Sequence, residues 1–338
     1  MDKNKSRHEV CLSLYARVGA AACGIKECEE LLQQRTIRKS ISWTGIGLHS
    51  GKVINVTLHP APAGHGIVFE RADIAGRPRV KATYDNVIAT ELASTVGTNG
   101  VRVGTVEHLL AALYGMGIDN ILIELDGDEV PIMDGSAEPF VRILRASSVK
   151  KLYRGKKFFV IRKSIEVGDG DRWIKVKPYD EFRISCVIDY LHPAIGRQEK
   201  DVVVSASNFA DEISRARTFG FMDDVLAMQA KGLARGGGLH NAVVLDNEGV
   251  LNSDGLRFPD EFVRHKILDI IGDLALLGGP LIGHVEAFKT GHELNNKFIR
   301  RILADPSIYE VVTFEQSEEF AEGEPEEDTW KAPQWALI

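Results

Sequence analysis

The segment Phe-Val-Arg-His-Lys-Ile-Leu-Asp-Ile-Ile-Gly-Asp at 262–273 places His265, Asp269 and Asp273 four residues apart. On an α-helix that spacing stacks them on one face, and Val263, Ile267, Ile270, Ile271 and Leu274 form an apolar face. A histidine and an aspartate one turn apart can chelate a metal ion, and a carboxylate one turn further on can orient a neighbouring group. The polar three are expected on the wet face of an otherwise apolar helix, where they must pair with something or bind something.

A second histidine, His108, follows Glu107 at the start of another apolar helix. With His108, His265 and Asp269 as ligands, a tetrahedral Zn2+ keeps one open position, the pattern of a catalytic zinc. Glu107 beside that position suits a general base acting on water. His292, where a strand gives way to a helix, can protonate a leaving group, with Asp273 fixing its tautomer and charge. Thr218 can donate to a developing oxyanion. Each residue alone has a plainer reading: a hydrogen-bonded core histidine, a first-turn glutamate favoured by the helix dipole, a helix-start histidine, a strand threonine. The combination carries the hypothesis, and by itself it reads as a zinc hydrolase. Gly236-Gly237-Gly238 matches neither dinucleotide nor P-loop glycine patterns.

Elements must position these side chains. Strands are expected at 37–43 and 53–58 around a glycine-punctuated turn, then at 66–71 and 79–83. Thr105 is expected to cap a helix striped by Val106, Leu109, Leu110 and Leu113. A strand at 121–125 and a helix opened by Asp134-Gly135-Ser136 complete the first unit. The second unit reads as strands at 158–165, 173–178 and 182–189, helical stretches at 209–215 and 223–231, a strand at 242–245, the His265 helix, a strand at 282–288 and a last helix from Glu293. Val106-Glu107-His108 and Val263-Arg264-His265 echo one another, each before an apolar helix and a strand. A duplication would bring the two histidines together at an interface, where ligand sites often lie.

Length suits two domains. The net charge of −7 belongs to the tail, because 315–328 holds eight acidic residues and no basic one. The body is near neutral, which argues against nucleic acid as partner. No run approaches the ~20 apolar residues of a membrane span. Cys11, Cys23, Cys28 and Cys186 form neither a CxxC pair nor a disulfide framework, so a reducing cytosol is the default.

The chain also resembles the zinc-dependent UDP-3-O-acyl-N-acetylglucosamine deacetylases of lipid A synthesis. The matching blocks are Thr-Gly-Ile-Gly-Leu-His-Ser-Gly-Lys at 44–52, Thr-Val-Glu-His-Leu at 105–109, Pro-Ile-Met-Asp-Gly-Ser at 131–136 and His-Pro-Ala-Ile-Gly at 192–196. They continue with Ser-Arg-Ala-Arg-Thr-Phe-Gly at 214–220, residues 256–273, and Gly-His-Glu-Leu-Asn-Asn-Lys at 291–297. The resemblance implies an α+β fold of two related domains. Each would layer a β-sheet against two α-helices and carry a small insert, with the active site between the domains. It implies zinc on His108, His265 and Asp269, Glu107 as base, His292 as acid with Asp273 as partner, and Thr218 on the oxyanion. Lys266, Lys289, Tyr190 and Phe221 fall on its nucleotide-side contacts. Phe219 and Val225 line its acyl channel, an insert at about 218–242. Arg235, Gly238 and His240 depart from many members at that insert, and residues 1–33 have no counterpart.

The expectation is therefore a cytoplasmic, monomeric metallo-amidase that removes the N-acetyl group of a UDP-linked, 3-O-acylated amino sugar. This is the committed step of lipid A (lipopolysaccharide) biosynthesis. No nucleic-acid partner and no stable membrane insertion are expected. The domains are placed at 34–154 and 155–314, between a dispensable extension at 1–33 and an acidic tail at 315–338. Two rivals remain: a zinc hydrolase of another class, such as a peptidase or nucleosidase, which should lack a long apolar channel, and a UDP-sugar sensor, which should have lost Glu107 or His292.

Overall fold

A computed structural model describes residues 32–313. The extension at 1–31, with Cys11, Cys23 and Cys28, and the acidic tail lie outside the described residues.

The first half runs β1 (Gln33–Ile37), β2 (Ile41–Ile46), β3 (Val53–Pro60), β4 (Ile67–Arg71), β5 (Arg79–Lys81), β6 (Val87–Ala89), β7 (Thr95–Thr98), β8 (Val101–Val103), α1 (Glu107–Gly115), β9 (Ile121–Leu125), α2 (Glu138–Ser147) and β10 (Val149–Gly155). The second runs β11 (Lys157–Ile161), β12 (Ile165–Asp169), β13 (Arg172–Lys177), β14 (Phe182–Asp189), β15 (Arg197–Val203), a helical stretch at 206–213, β16 (Phe219–Phe221), α3 (Met222–Ala230), β17 (Val243–Leu245), α4 (Glu261–Leu274), β18 (Leu281–Phe288), α5 (His292–Leu303) and β19 (Tyr309–Thr313).

The two main sheets repeat one topology. In the first, β9 lies between β3, antiparallel to it, and β4, parallel to it, with β2 and β5 outermost. In the second, β18 lies between antiparallel β13 and parallel β14, with β12 and β15 beyond them. Both central strands follow the helix that carries a site histidine. The second sheet adds β11 and β19. Each half carries a small insert before that helix: the β6–β7–β8 sheet in one, and parallel β16 and β17 joined through α3 in the other. The echo in the sequence is thus matched by an α+β architecture in two topologically equivalent halves.

Helices α1 and α4 sit face to face in the core. Every residue of α1 except Tyr114 is buried, and in α4 only Arg264 and Lys266 are partly exposed. A helix apolar on nearly all sides must be covered on nearly all sides, here by a sheet and by the other helix. This corrects the expected wet face: His265, Asp269 and Asp273 are buried, because α1 covers the side that a lone amphipathic helix would give to water. Contact is closest at Gly272, where an added Cβ would fall 2.1 Å from the Glu107 carbonyl oxygen. The outer helices are conventional. Buried Phe140, Val141 and Leu144 stripe α2, and Leu294, Phe298 and Ile302 stripe α5.

Two local expectations also change. Thr105 does not cap α1; Val106 occupies the cap position, and Thr105 sits at φ +54° with its hydroxyl donating to Glu129. The Asp134-Gly135-Ser136 turn precedes α2, which begins at Glu138, and the Ser136 hydroxyl oxygen accepts from the Glu138 N–H. At the first strand, Gln33 pairs with Gly155 and Leu32 packs with Phe158, Val160 and Ile282. Two residues assigned to the extension therefore belong to the folded body.

Candidate active site

The first turn of α1 supplies Glu107 and His108, and α4 supplies His265, Asp269 and Asp273. His292 comes from the first turn of α5. His265 Nε2 lies 3.3 Å and His108 Nε2 3.8 Å from Asp269 Oδ1. One ligand atom from each of these three residues lies within 4.8 Å of the other two. Tetrahedral ligands with bonds of ~2.0–2.1 Å sit roughly 3.3 Å apart, so the cluster is of the size that would close on a zinc ion. The imidazoles meet edge to face, with centroids 5.0 Å apart. His265 Nδ1–H donates to the Ala216 carbonyl, which leaves the Nε2 lone pair facing the cluster.

Electrostatics favour the ligand forms. Burial, then the neighbouring His265, lowers His108 to about 3, and burial also lowers His265, so both rings are neutral. Burial opposes ionisation of Asp269, but the charge of Lys266, with that of His292, outweighs it and holds the carboxyl below its ordinary value. Lys266 Nζ donates to Asp269 Oδ2 at 2.9 Å. Neutral imidazoles and an ionised carboxylate are what a divalent cation requires.

Beside the cluster runs a chain of proton-handling groups. His292 Nε2 lies 3.7 Å from Glu107 Oε1, and Nδ1 hydrogen-bonds Asp273 Oδ2 at 2.8 Å. Burial, assisted by Asp273 and Asp269, raises Glu107 to about 7 against the pull of His292. Burial alone would lower His292; Asp273 and Glu107 outweigh it and lift it to about 10. A divalent cation alongside would lower both.

Glu107, His108, His265, Asp269 and His292 line a cavity of about 350 Å3 that is also lined by Thr218 and Lys266, with Asp273 behind His292. A narrower apolar slot of about 220 Å3 adjoins it, walled by Met222, Val225, Met228 and Leu239. Leu48, Thr218 and Phe219 border both. The slot is bounded by the β16–α3–β17 insert, whose second strand runs to Leu245, beyond the expected end at 242. Phe219 packs edge-on to Phe262 at 4.9 Å. Tyr190 and Phe221 meet at a tilt of 48° with centroids 6.1 Å apart, and line neither space. Lys289 also lies outside both, with Nζ 3.0 Å from Asp171 and 3.4 Å from Asp189.

Some site-shaping residues escape sequence reasoning. Ser94, in the loop between β6 and β7, donates its N–H to Glu107 Oε2 and its hydroxyl to Asp273 Oδ1. Glu129 accepts from the Thr105 hydroxyl and from the backbone N–H groups of His49 and Ser50, fixing the loop that presents Leu48. Neither carries a periodic signal. Asn295 does: it is a polar residue on the buried face of α5, and a buried amide needs partners.

A buried two-histidine, one-aspartate cluster flanked by a carboxylate and an imidazole has the chemistry of a metal-dependent hydrolase. The chain belongs to the UDP-3-O-acyl N-acetylglycosamine deacetylase family, whose model matches residues 34–304. It is 56% identical over 279 residues to the UDP-3-O-acyl-N-acetylglucosamine deacetylase of Myxococcus xanthus, covering 82% of this chain and 89% of that one. It is 48% identical to the deacetylase of the same name from Histophilus somni over 296 residues, covering 87% and 97% of the two chains. The Acidithiobacillus ferrooxidans enzyme is also 48% identical, over 286 residues, covering 84% and 94%. No described helix is long and apolar enough to cross a membrane.

Proposed function

We propose that this chain hydrolyses the N-acetyl group of UDP-3-O-acyl-N-acetylglucosamine, giving acetate and UDP-3-O-acyl-glucosamine, in lipid A synthesis. The observation that carries the reading is the Glu107–His292–Asp273 chain set against the His108–His265–Asp269 cluster at the mouth of an apolar slot. His108, His265 and Asp269 would hold zinc, which when bound supplies Lewis acidity and acidifies water. Glu107 takes the proton of the attacking water. Thr218, on the wall of the same cavity, donates to the oxygen of the acetamide as it gains charge. His292 gives its Nε2 proton to the departing sugar amine while Asp273 holds Nδ1. Lys266, Lys289, Tyr190 and Phe221 serve the UDP side. To reach a diphosphate, Lys289 has to leave Asp171 and Asp189, so those acids tune its availability. Phe219 and the slot take the 3-O-acyl chain.

The reading also places the enzyme in the cytoplasm as a single-chain catalyst, and divides the body at 154/155 into two domains. Location and working unit rest on family membership, and the division rests on the repeated sheet topology. Mass spectrometry of UDP-3-O-acyl-N-acetylglucosamine incubated with the purified protein tests the reaction. Loss of one acetyl group, abolished by chelator and restored by zinc, is the expected result; unchanged substrate in the zinc-restored sample overturns it.

A further inference from the structure

Asp273 is bonded on both oxygens, and the bond on its inner side leads away from the cavity. Oδ2 accepts from His292 Nδ1 and also from Asn295 Nδ2, each at 2.8 Å. Asn295 is fully buried, and its other amide atom, Oδ1, accepts from the Thr290 hydroxyl at 2.6 Å. A primary amide is nearly symmetric in shape, so the hydrogen-bonding character of its neighbours decides which end faces which. Turned the other way, Asn295 would set a carbonyl oxygen against Asp273, and the carboxylate would lose a donor where little water reaches. The acceptor-only carboxylate selects the NH2 end, and the Thr290 hydroxyl, free to donate, satisfies the buried carbonyl end and so tethers the amide in that pose.

The chain is compact in sequence. Thr290 lies just before α5, the Asn295 N–H closes the first turn onto Gly291 O, and His292 stands between them. The segment that presents the imidazole to the cavity thus also carries the two residues that aim its carboxylate partner. Without them, Asp273 keeps the Ser94 hydroxyl on Oδ1 but can turn about its side chain, and the His292 ring can turn with it.

We propose that Asn295 and Thr290 are positioning residues for the proton transfer by His292. Thr290 tethers the carbonyl end of the Asn295 amide, Asn295 fixes Asp273, and Asp273 fixes the imidazole. Neither residue lines the substrate cavity, so their effect falls on kcat rather than KM. The proposal rests on the deacetylase reading, and inactive wild-type protein would defeat that reading before this one is tested.

The test uses the zinc-loaded full chain with UDP-3-O-acyl-N-acetylglucosamine. Asn295→Ala should lower kcat roughly ten- to a hundredfold, the range for a hydrogen-bond partner that orients a working side chain, with KM and bound zinc unchanged. Asn295→Asp, with a second acid against Asp273, should lose more. Thr290→Val should lower kcat by about tenfold, Thr290→Ser should restore it to within about twofold, and adding Thr290→Val to Asn295→Ala should cost nothing further. If Asn295→Ala does not fold, the Val and Ser pair at position 290 decides alone. Wild-type kcat in Thr290→Val, or equal losses in the Val and Ser variants, would overturn the proposal.

Discussion

Gly272 fixes how closely the two halves of the site approach, and Gly272→Ala measures that closeness. A Cβ at this position would lie 2.1 Å from the Glu107 carbonyl oxygen, 2.8 Å from its carbonyl carbon and 3.1 Å from its Cα. Ordinary contact begins at 3.4 Å, so α1 must withdraw by about 1 Å, and backbone atoms have no rotamer by which to yield. Helix propensity works the other way, since alanine for glycine inside a helix favours folding by ~1 kcal/mol. Overpacking costs about 1–3 kcal/mol, with the upper part of the range apt for a backbone clash. The net is a destabilisation of ~1–2 kcal/mol, or a fall in melting temperature of about 2–8 °C. Activity should suffer more than stability. The withdrawal carries Glu107 and His108 away from His265 and Asp269, and a ~1 Å misplacement of reacting groups can cost on the order of a hundredfold in rate. Calorimetry on the zinc-loaded protein, zinc affinity by chelator competition and steady-state kinetics read the three effects separately. A variant that melts at or above the wild-type temperature and keeps kcat within twofold would show slack between the helices and refute the argument.

His265→Ala removes one of three proposed ligands and should weaken zinc binding by more than the ~100-fold lost when only a ligand's hydrogen-bond partner is removed, as read by metal analysis after dialysis; retained zinc and rate would remove the metal assignment. Activity should trace a bell against pH. It falls as pH drops through the Glu107 value of about 7 and as pH rises through the His292 value of about 10, with both limbs moved lower by bound cation. Glu107→Gln should keep zinc and lose most of the rate, and a flat wild-type profile contradicts the pairing. Val225→Phe narrows the slot and should cut kcat/KM about tenfold for a long-chain substrate, at ~0.8 kcal/mol per displaced methylene, while sparing one without the 3-O-acyl group. Equal losses on both would mean Val225 is simply packing. A chain beginning at Gln34 should melt below one beginning at Leu32, because it loses a buried leucine worth ~1.5–3 kcal/mol; identical melting curves would put Leu32 outside the core.

The cluster was legible because helical period alone aligns His265, Asp269 and Asp273, and because Val106-Glu107-His108 echoes Val263-Arg264-His265 at the start of another apolar helix. The sheets were legible from alternation in β9 and β14 and from the glycine turns between strands. What escaped depends on distance through space. The burial of α4 on its polar side follows from α1, which no local pattern in α4 announces. The left-handed conformation of Thr105 follows from Glu129, more than twenty residues on. Ser94 reaches Asp273 across 179 residues of chain. Asn295 was within a recognised motif, yet its role needed the position of Asp273.

The cluster also has a history in time. The 157 residues from His108 to His265 take roughly 8–30 s to synthesise at ~5–20 residues per second. Throughout that interval α1 has no α4 to cover it, and the nascent first half displays an apolar helix with a carboxylate and an imidazole at its start. The His108–His265–Asp269 cluster can close only after the second half has emerged and docked. Closing the cluster is therefore a late act of assembly, and the waiting half exposes apolar surface of the kind that aggregates.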